Sequence, residues 1–537
     1  MFQFTLYTAL VISISGFLYQ VCRFKKKNLF FKKNKKFNGN KTAFNLKGIV
    51  FNTVFQIKLL KAGGMRWGIH FLVFLSFLYL VFFHALDDVT SHVFLNNYEP
   101  TIDPYQFLRN LAGGFILIGC VTFLYRRVLK TKIHQENKIK YKGIFSILLI
   151  VLVIGSGFLL ETAKIISEPV FMEMVEEYSD LAEASELLDL KLFWEKNYHV
   201  VFTNDLLATE DKLENGRNLN EEYCLSCHSN VKSAFISGSL AKKFRPMGKI
   251  LNHYRADGSL YVMHYLLSFL MLASLPFSRL FHMVLIPFAS SVSHTNTENF
   301  QKNIAFIHTA TLYACTNCGY CSQVCSVFPN FQITGNHDIL PHSKIESVKA
   351  MINNPFALNL NRLKSGNAEC TFCRKCTDIC PSNIDLQGVW AFLDEQLVAM
   401  GYIDNYHFVK NASPGFWTKK ENETLSFQKV LTTNLADKID AFENCVQCTI
   451  CTNVCPVVEY DSNHNDMTPQ QIMNLLRLGK KHLATGTRMV WNCLTCYSCQ
   501  EHCPEQIKVA DILLELRNNG NLMADRINLN PSIDKGT

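Results

Sequence analysis

One cysteine pattern occurs four times between residues 315 and 503, and it limits what this part of the chain can fold into. In every copy, two, two and then three residues separate successive cysteines. Runs with this C-x2-C-x2-C-x3-C spacing bind [4Fe–4S] clusters, and the fourth cysteine ligates the cluster of the partner motif. The pattern predicts four clusters in two modules, with the ligands Cys315, Cys318, Cys321, Cys325, Cys370, Cys373, Cys376, Cys380, Cys445, Cys448, Cys451, Cys455, Cys493, Cys496, Cys499 and Cys503.

Zinc and disulfide bonds are the alternatives for so many cysteines. Zinc sites usually pair two C-x2-C units across a longer gap, and disulfide bonds need an oxidising compartment. The first copy has Ser326 where the others have proline, which affects only the geometry after Cys325. Sixteen of the 20 cysteines belong to the four motifs. We expect Cys22 and Cys120, which stand in apolar sequence, to be buried thiols without redox function.

Apolar residues are concentrated in the first 290 positions, where five runs are long enough to span a bilayer. The runs cover residues 2–21, 67–86, 107–125, 144–160 and 260–288. The first lacks a basic start, so we interpret it as an uncleaved helix rather than a signal peptide. Pro276 predicts a kink in the fifth run.

The charges of the loops predict the orientation of these spans. Residues 22–66 carry 13 Lys or Arg and no acid, and residues 126–142 carry seven basic residues against one Glu. Residues 85–106 carry four acids and no Lys or Arg, and residues 161–222 carry 16 acids against five Lys or Arg. We expect a multi-pass protein of the inner (cytoplasmic) membrane. Its N-terminus and acidic loops would be periplasmic, and the chain after residue 290 cytoplasmic.

Four histidines lie in the second and fifth runs, where polar side chains are costly and usually functional. His70 and His84 are 14 residues apart, about 21 Å along a helix, and His264 and His282 are 18 apart, about 27 Å. Two antiparallel helices could then offer one pair at each membrane face. We expect His84 with His264 to bind an outer haem b and His70 with His282 an inner one, because neutral imidazole is a natural iron ligand. Histidines at lipid headgroups are the alternative.

The long acidic loop contains Cys224, Cys227 and His228 in C-x-x-C-H spacing, which is the attachment motif of c-type haem. The two thiols would bind the porphyrin, and His228 would be the proximal ligand. A disulfide bond between the two cysteines is the alternative. Met247 is the first candidate for the sixth ligand, with His253 and His199 as the others.

Two resemblances follow from these features. Residues 60–290, with paired histidines on the second and fifth of five spans, resemble the cytochrome b subunits of respiratory nitrate reductase and heterodisulfide reductase. That resemblance implies two haems b with a quinone nearby. The motifs that begin at Cys445 and Cys493, with the tail 507–517, resemble the small iron–sulfur subunit of heterodisulfide reductase. The chain has no adjacent cysteine pair, so the resemblance implies that any catalytic non-cubane cluster belongs to another subunit.

We therefore expect a mainly α-helical chain, with a five-helix transmembrane bundle, a small external haem c insert and two cytoplasmic helical ferredoxin-like dicluster modules. The expected boundaries are 1–163 for four spans, 164–258 for the insert and 259–290 for the fifth span. The first module would cover 291–404, a connector 405–438, the second module 439–525 and a polar tail 526–537.

The leading hypothesis is a membrane electron-transfer subunit. It would connect an external c-type cytochrome or quinone to a cytoplasmic oxidoreductase through one haem c, two haems b and four [4Fe–4S] clusters. Membrane lipid is an expected partner and nucleic acid is not, because the basic loop 22–66 is interpreted as an anchor at anionic lipid. No dinucleotide or nucleophile motif occurs, so an activity of its own stays open. The alternative is a membrane-anchored polyferredoxin or redox sensor without haem b.

Overall fold

The regular structure that the computed structural model describes is helical. Described are residues 2–27, 46–93, 95, 98–128, 143–181, 183–204, 209–225, 228–292, 298–354, 360–402, 405, 434–460 and 466–529. Within these ranges the only β-type pairing outside helices is an isolated bridge between Ser167 and Val201. The chain forms two units: Met1–Val21 with Gly63–Phe281, and Cys22–Ala62 with His282–Thr537.

The five predicted spans are confirmed as helices long and apolar enough to cross a membrane. Their bounds are Phe4–Lys25 for span 1, Gly64–Ala85 for span 2, Tyr105–Arg126 for span 3, Ile144–Ile166 for span 4 and Ala256–Phe277 for span 5. Span 2 changes from α-helix to a π-helical turn over Val81–Ala85, a feature that often marks functional sites. Span 4 extends beyond its predicted end at residue 160 and stops at Ile166.

Span 5 ends earlier than the sequence predicts. Its α-helix stops at Ser274 and two 3-10 turns follow, Leu275–Phe277 and Arg279–Phe281. A separate helix, His282–Val292, begins only after them. Pro276 lacks an N–H and so cannot continue the helical hydrogen bonds. The run 260–288 is thus not one helix, so the rise of one continuous helix no longer gives the separation of His264 and His282.

The break in span 5 is held by span 1. Gln20 donates through Nε2 to the carbonyl of Pro276 over 3.1 Å. At Gly16 an added Cβ would stand 2.6 Å from the Pro276 ring and from Phe277, so the two segments approach closely only because position 16 is glycine. Thr5 adds a hydrogen bond from its hydroxyl to Tyr265 at 2.9 Å.

The insert between spans 4 and 5 is a small helical layer on the same unit. Its helices are Glu168–Tyr178, Ala184–Asn197, Glu210–Tyr223, Phe235–Phe244 and Gly248–His253. Phe171, Trp194, Tyr198 and Phe202 form most of its buried apolar core. The Trp194 indole N–H donates to Asn220 at 3.0 Å, which satisfies both polar groups inside that core.

A buried carboxylate joins the insert to the spans. Glu161, near the end of span 4, forms an ion pair with Arg109 of span 3. It also accepts from Asn110 at 3.0 Å and from the Ser237 hydroxyl at 2.6 Å. Ser237 belongs to the insert, so this network fixes the insert against spans 3 and 4. Because every partner neutralises or satisfies the charge, Glu161 can remain buried.

The second unit contains the cysteine motifs. After helices His282–Val292 and Glu298–Tyr313, the first module has helices Tyr320–Gln323, Phe328–Thr334, Pro341–Asn353, Leu360–Ala368, Lys375–Asp378 and Leu386–Ala399. The second has Ile450–Asn453, Pro456–Tyr460, Pro469–Arg477, Lys481–Thr485, Arg488–Asn492, Ser498–Glu501 and Val509–Leu529. Apolar periodicity in the sequence predicts helices after the motifs at 384–400, 470–478 and 509–517, and the helices Leu386–Ala399, Pro469–Arg477 and Val509–Leu529 confirm them. Of the connector 405–438, residues 406–433 lie outside the described ranges.

The second unit also includes the last turns of span 1, from Cys22, and the loop between spans 1 and 2. Phe24 is 2% exposed and packs against Tyr313, with 5.0 Å between ring centroids. Arg23 donates to the Tyr313 hydroxyl at 3.2 Å and to the Asn353 side chain at 2.9 Å. Short helices follow at Leu46–Ile49 and Ile57–Ala62. Of the two cysteines expected to be buried, Cys120 is buried but Cys22 is exposed, because Phe24 rather than Cys22 packs inward.

Candidate functional site

The four cysteine motifs share one unusual backbone shape. Two residues after the first cysteine of each motif, a non-glycine residue adopts a left-handed φ between 51° and 58°. The residue after each second cysteine is also left-handed, with φ between 64° and 81°. Such alternation turns successive N–H groups to one side and forms the anion-binding nests found at iron–sulfur sites. The residues are Asn317, Phe372, Gln447 and Thr495, then Gly319, Arg374, Thr449 and Tyr497.

Backbone N–H groups in these loops contact cysteine sulfur. Asn317 donates its N–H to the Cys315 sulfur, and Thr495 donates its N–H to the Cys493 sulfur, both at 3.4 Å. The Gln447 side chain donates to the Cys445 sulfur at 3.3 Å. Left-handed backbone at non-glycine residues costs free energy and persists where the surrounding structure requires it. The loops are therefore shaped to surround a negatively charged group with donors.

The first module places its eight cysteines in two groups that exchange their fourth members. Cys380 lies with the first motif, because the charges that most affect the Cys321 thiol are those of Cys318, Cys315 and Cys380. Cys325 lies with the second motif, beside Cys370 and Cys373. We call the first group site 1 (Cys315, Cys318, Cys321, Cys380) and the other site 2 (Cys370, Cys373, Cys376, Cys325).

The second module repeats the arrangement. The charges that act on the Cys451 thiol are those of Cys445, Cys448 and Cys503. These four cysteines line one cavity. The charges that most affect the Cys499 thiol are those of Cys493, Cys455 and Cys496. We call these groups site 3 (Cys445, Cys448, Cys451, Cys503) and site 4 (Cys493, Cys496, Cys499, Cys455). Sites 3 and 4 have one exposed cysteine each, Cys448 and Cys496. The other three cysteines of site 4 are buried, whereas those of site 3 are only half-buried.

Burial sets the chemistry of these thiols. Desolvation raises the pKa of Cys325, Cys376 and Cys380 to about 12. Their thiolates are therefore unfavourable without a positive partner, and metal binding would replace their protons. In the described ranges no three His, Cys, Asp or Glu side chains are tight enough for one metal ion. A [4Fe–4S] cluster has four iron atoms, so its cysteines need not converge on one point.

Sites 2 and 4 meet at the junction of the modules. Thr371, next to Cys370, shares a buried hydroxyl hydrogen bond of 2.9 Å with Thr495, two residues after Cys493. Arg517, 6% exposed, donates to the Trp491 carbonyl at 2.7 Å and to the Cys370 carbonyl at 2.8 Å. The four sites therefore form a row in the order 1, 2, 4, 3. Nothing in the motif spacing predicted this order or the role of Arg517.

The free end of the row beside site 1 faces the loop between spans 1 and 2. Lys58 of that loop is half-buried, and burial lowers its pKa, while the charges of Cys380 and Asp378 act on it in the opposite direction. A cation of the loop thus lies near site 1. The basic composition of this loop had indicated only a lipid anchor, so the proximity of Lys58 to site 1 was missed.

His84 and His264 are brought together inside the first unit. Their ring centroids are 6.3 Å apart, with an angle of 32° between the rings. Two imidazole nitrogens each ~2 Å from one metal ion would place the centroids roughly 6 Å apart. The pair therefore fits a bis-histidine iron site, and the π-helical turn of span 2 carries His84.

The surroundings of His264 orient its ring. Its Nδ1 lies 3.0 Å from the Ser156 hydroxyl and 3.1 Å from the Val153 carbonyl. The carbonyl can only accept, so it favours the tautomer with the proton on Nδ1 and leaves Nε2 for a metal. A Cβ at Gly157 would stand 3.2 Å from the ring, so glycine lets the imidazole lie against span 4.

The second predicted histidine pair is divided between the units. His70 lies in span 2, with its ring 6.2 Å from that of Phe123 in span 3. His282 is the first residue of the helix that follows the break in span 5 and belongs to the other unit. The pairing of His70 with His282 stays a prediction.

The C-x-x-C-H segment lies on the core of the insert. Cys224 is buried among the apolar residues there, and the His228 N–H donates to the Cys224 carbonyl at 2.9 Å, which forms one turn between them. The His228 ring meets Trp194 edge-on at 6.5 Å, and burial lowers the pKa of this imidazole. Neutral imidazole is the form that ligates iron. Cys227 lies outside the described residues.

The candidates for a sixth ligand are less closely placed. Met247 is 49% exposed, on the 3-10 turn Arg245–Met247. His253 packs its ring against Tyr254 at 5.0 Å. Burial lowers the pKa of His199, which has a left-handed φ of 67°. No contact joins any of the three to His228 among the described interactions, so the sixth ligand stays open.

Comparison with known proteins supports the iron–sulfur part. Residues 311–384 and 441–507 match a family described as a 4Fe-4S dicluster domain. The chain is 35% identical over 79 residues to the C subunit of H(2):CoB-CoM heterodisulfide,ferredoxin reductase from Methanothermobacter thermautotrophicus, which covers 15% of this chain and 40% of that one. It is 38% identical over 76 residues to the C subunit of ferredoxin:CoB-CoM heterodisulfide reductase from Methanosarcina mazei, covering 14% and 43%.

A third relative is the iron-sulfur C subunit of CoB--CoM heterodisulfide reductase from Methanopyrus kandleri, 30% identical over 82 residues, covering 15% and 41%. The chain thus spans about two fifths of the length of these relatives. No solved structure matches it. The two matched segments contain all four cysteine sites, so the tail carries [4Fe–4S] dicluster sequence related to the C subunits of heterodisulfide reductases.

Proposed function

We propose that this protein is a membrane electron-transfer subunit that passes electrons between an external cytochrome or quinone pool and a cytoplasmic oxidoreductase. The observation that carries the proposal is the row of four cysteine sites, which gives a through-protein path in a chain that also has five candidate spans. Its cofactors would be four [4Fe–4S] clusters, two haems b and one haem c, with a quinone as a further candidate. When bound, these groups supply reversible one-electron chemistry.

The cysteine loops would hold the clusters by two means. The thiolates of each site bind iron, and the left-handed loops direct N–H groups toward the sulfur atoms, which stabilises negative charge. Site 3 is more open to solvent than site 4, because none of its cysteines is buried and the neighbouring Val446 is exposed. We assign site 3 to contact with a soluble partner, and site 1, near the loop between spans 1 and 2, to exchange with the membrane part.

The membrane part would bind haem b through histidine. His84 and His264 are assigned to the outer haem, with Ser156 and the Val153 carbonyl orienting the His264 ring. His70 and His282 are assigned to the inner haem on the sequence pattern alone. Cys224, Cys227 and His228 are assigned to haem c, which the low pKa and apolar surroundings of His228 favour.

The proposed orientation has the N-terminus and insert in the periplasm and the iron–sulfur modules in the cytoplasm. It rests on the loop charges and agrees with two packing observations. The loop 22–62 belongs to the same unit as the modules. The loop before span 3 bonds to the insert, where the Ser229 N–H donates to the Thr101 carbonyl at 3.1 Å. Each pair of segments is predicted to share one side of the membrane.

The cytoplasmic partner would be a soluble oxidoreductase subunit. The relatives are subunits of heterodisulfide reductases by name, and a chain without adjacent cysteines has no evident ligand set for a non-cubane catalytic cluster. We therefore place the terminal reaction on another polypeptide. Membrane lipid, and an external c-type cytochrome or quinone, complete the expected partners.

The test is spectroscopic and uses the full-length protein purified in detergent. A pyridine haemochrome spectrum should show b and c bands in a ratio of about two to one, and iron and sulfide analysis should give four clusters. The clusters should then become reduced when an external donor such as a reduced c-type cytochrome or a quinol analogue is added anaerobically. In the control, the same donor is added to the His264→Ala variant. Clusters without haem b would leave only a membrane-anchored polyferredoxin or redox sensor.

A further inference from the structure

Site 2 differs from the other three sites in the charges buried around it. Lys344, on the helix Pro341–Asn353, is 1% exposed, and its Nζ donates to the Asn367 side chain at 3.0 Å. The ammonium lies over the Trp390 ring, 4.8 Å from its centroid. No ion pair joins Lys344 to a carboxylate in the described ranges. A buried, hydrogen-bonded cation of this kind acts strongly on nearby charges, because little solvent screens it.

Arg517 adds a second cation beside the site. It donates to the carbonyl of Cys370, a site 2 cysteine, and its guanidinium stacks near Trp491, 5.5 Å from the ring centroid. Lys344 and Arg517 are the two cations that most affect the Cys370 thiol. Two nearby carboxylates oppose part of this positive charge, and Glu369 is the one that acts most on Arg517. Glu369 accepts from Asn330 and Asn521, and Asp394 accepts from Asn367.

A third feature comes from the position where the first motif departs from the pattern. Ser326 replaces the proline that follows the fourth cysteine in the other motifs. Its hydroxyl lies 3.3 Å from the sulfur of Cys373, another site 2 cysteine. A hydroxyl can donate to a thiolate, whereas proline cannot donate at all. Site 2 alone thus has this side-chain donor directly after its fourth cysteine.

We propose that Lys344, Arg517 and the Ser326 hydroxyl give the cluster at site 2 the highest reduction potential of the four, so that an electron entering the row rests there. Reduction adds one negative charge to a cluster, and buried cations and hydrogen bonds to sulfur stabilise that charge. At site 3 Arg477 donates to the Cys445 carbonyl at 3.0 Å, but its side chain is exposed, so solvent screens its charge. Arg517 also borders site 4 through the Trp491 carbonyl, so Lys344 and the Ser326 hydroxyl are what distinguish site 2 from site 4. The inference rests on the proposed clusters but not on the haems or on any partner.

The test is an EPR-monitored redox titration of the full-length protein. Ser326→Ala removes one donor with little change of volume, and Lys344→Met removes a charge while keeping a side chain of similar length. In each variant one cluster should titrate at a lower potential, the affected cluster should be the same, and it should be the first reduced in the unaltered protein. Lys344→Arg, which keeps the charge, should restore most of the potential.

Lys349→Met is the matched control, because Lys349 is buried on the same helix but forms an ion pair with Glu346 at 3.1 Å. It should leave all four potentials unchanged. Iron and sulfide analysis must give four clusters in every protein compared, and Ser326→Ala carries the test if Lys344→Met does not fold. Unchanged potentials with full cluster content, or a shift in a cluster that is not the first reduced, would overturn the proposal. Absence of haem would contradict the proposed function but leave this result intact.

Discussion

Replacing His264 gives the most direct test of the membrane part. The His84 and His264 rings are 6.3 Å apart, a separation that suits one metal ion between them. His264→Ala removes one of the two axial ligands, so one haem b should be lost while the other and haem c remain. The pyridine haemochrome ratio of b to c should fall from about two to about one. If the ratio is unchanged, the histidines do not form a haem site.

A milder change at Ser156 tests whether the orientation of the His264 ring affects how tightly haem b is bound. Ser156→Ala removes the 3.0 Å contact to His264 Nδ1 but leaves the Val153 carbonyl at 3.1 Å. One neutral hydrogen bond contributes about 1 kcal/mol, which is roughly fivefold in affinity at 1.4 kcal/mol per tenfold. Changes to groups that orient metal ligands typically weaken metal binding 10- to 100-fold. We therefore expect haem b to be held roughly 5- to 10-fold less tightly.

The measurement for Ser156→Ala is the rate of haem transfer to excess apomyoglobin, followed by absorbance. Ser268→Ala is the matched control, because the Ser268 hydroxyl donates only to the His264 carbonyl at 2.8 Å and does not touch the ring in the described contacts. Its transfer rate should equal that of the unaltered protein. Equal rates for Ser156→Ala and Ser268→Ala would refute the orienting role, even if His264→Ala had lost a haem.

Three further outcomes follow from the cysteine sites. Cys380→Ala and Cys318→Ala should abolish the same EPR signal, because both residues belong to site 1 although they come from different motifs; separate losses would contradict the exchange. Thr371→Val should lower the free energy of unfolding of the tail by about 1 kcal/mol in urea titration, since it removes the buried hydrogen bond to Thr495. After chelation of iron, iodoacetamide at pH 8 should label exposed Cys448 before Cys380, because burial raises the pKa of Cys380 to about 12 and thiolate is the nucleophile. Labelling of Cys380 should rise with pH, and uniform labelling would argue against that burial.

The features that the sequence predicted are those set by local spacing. The cysteine motifs repeat in adjacent residues, and the matched dicluster segments support the clusters they imply. The five spans follow from apolar length, and all five are present as helices. The helices after the motifs follow from apolar periodicity, and Leu386–Ala399 lies within two residues of its predicted bounds.

The features that the sequence missed depend on contacts between distant residues. Pro276 signalled a kink, but the full break also involves Gln20, 256 residues away, which donates to the Pro276 carbonyl. The segment 22–66 was interpreted by its charge alone. Phe24 nevertheless packs against Tyr313, because burial of a large aromatic ring is favourable even in a basic stretch of sequence. Ser326 was treated as a defect of the motif, although its hydroxyl contacts a cysteine of the neighbouring motif.

The order of the four sites in space differs from the order of their motifs along the chain. If the row followed the sequence, the third motif would lie beside the second, and Thr371 would contact residues near Cys445. Instead Thr371 contacts Thr495, and Arg517 joins the Cys370 carbonyl to that of Trp491. The second module therefore presents its last motif to the first module and turns its first motif, with exposed Cys448, outward. A soluble partner would then meet the third motif, while the first motif stays next to the loop that contains Lys58.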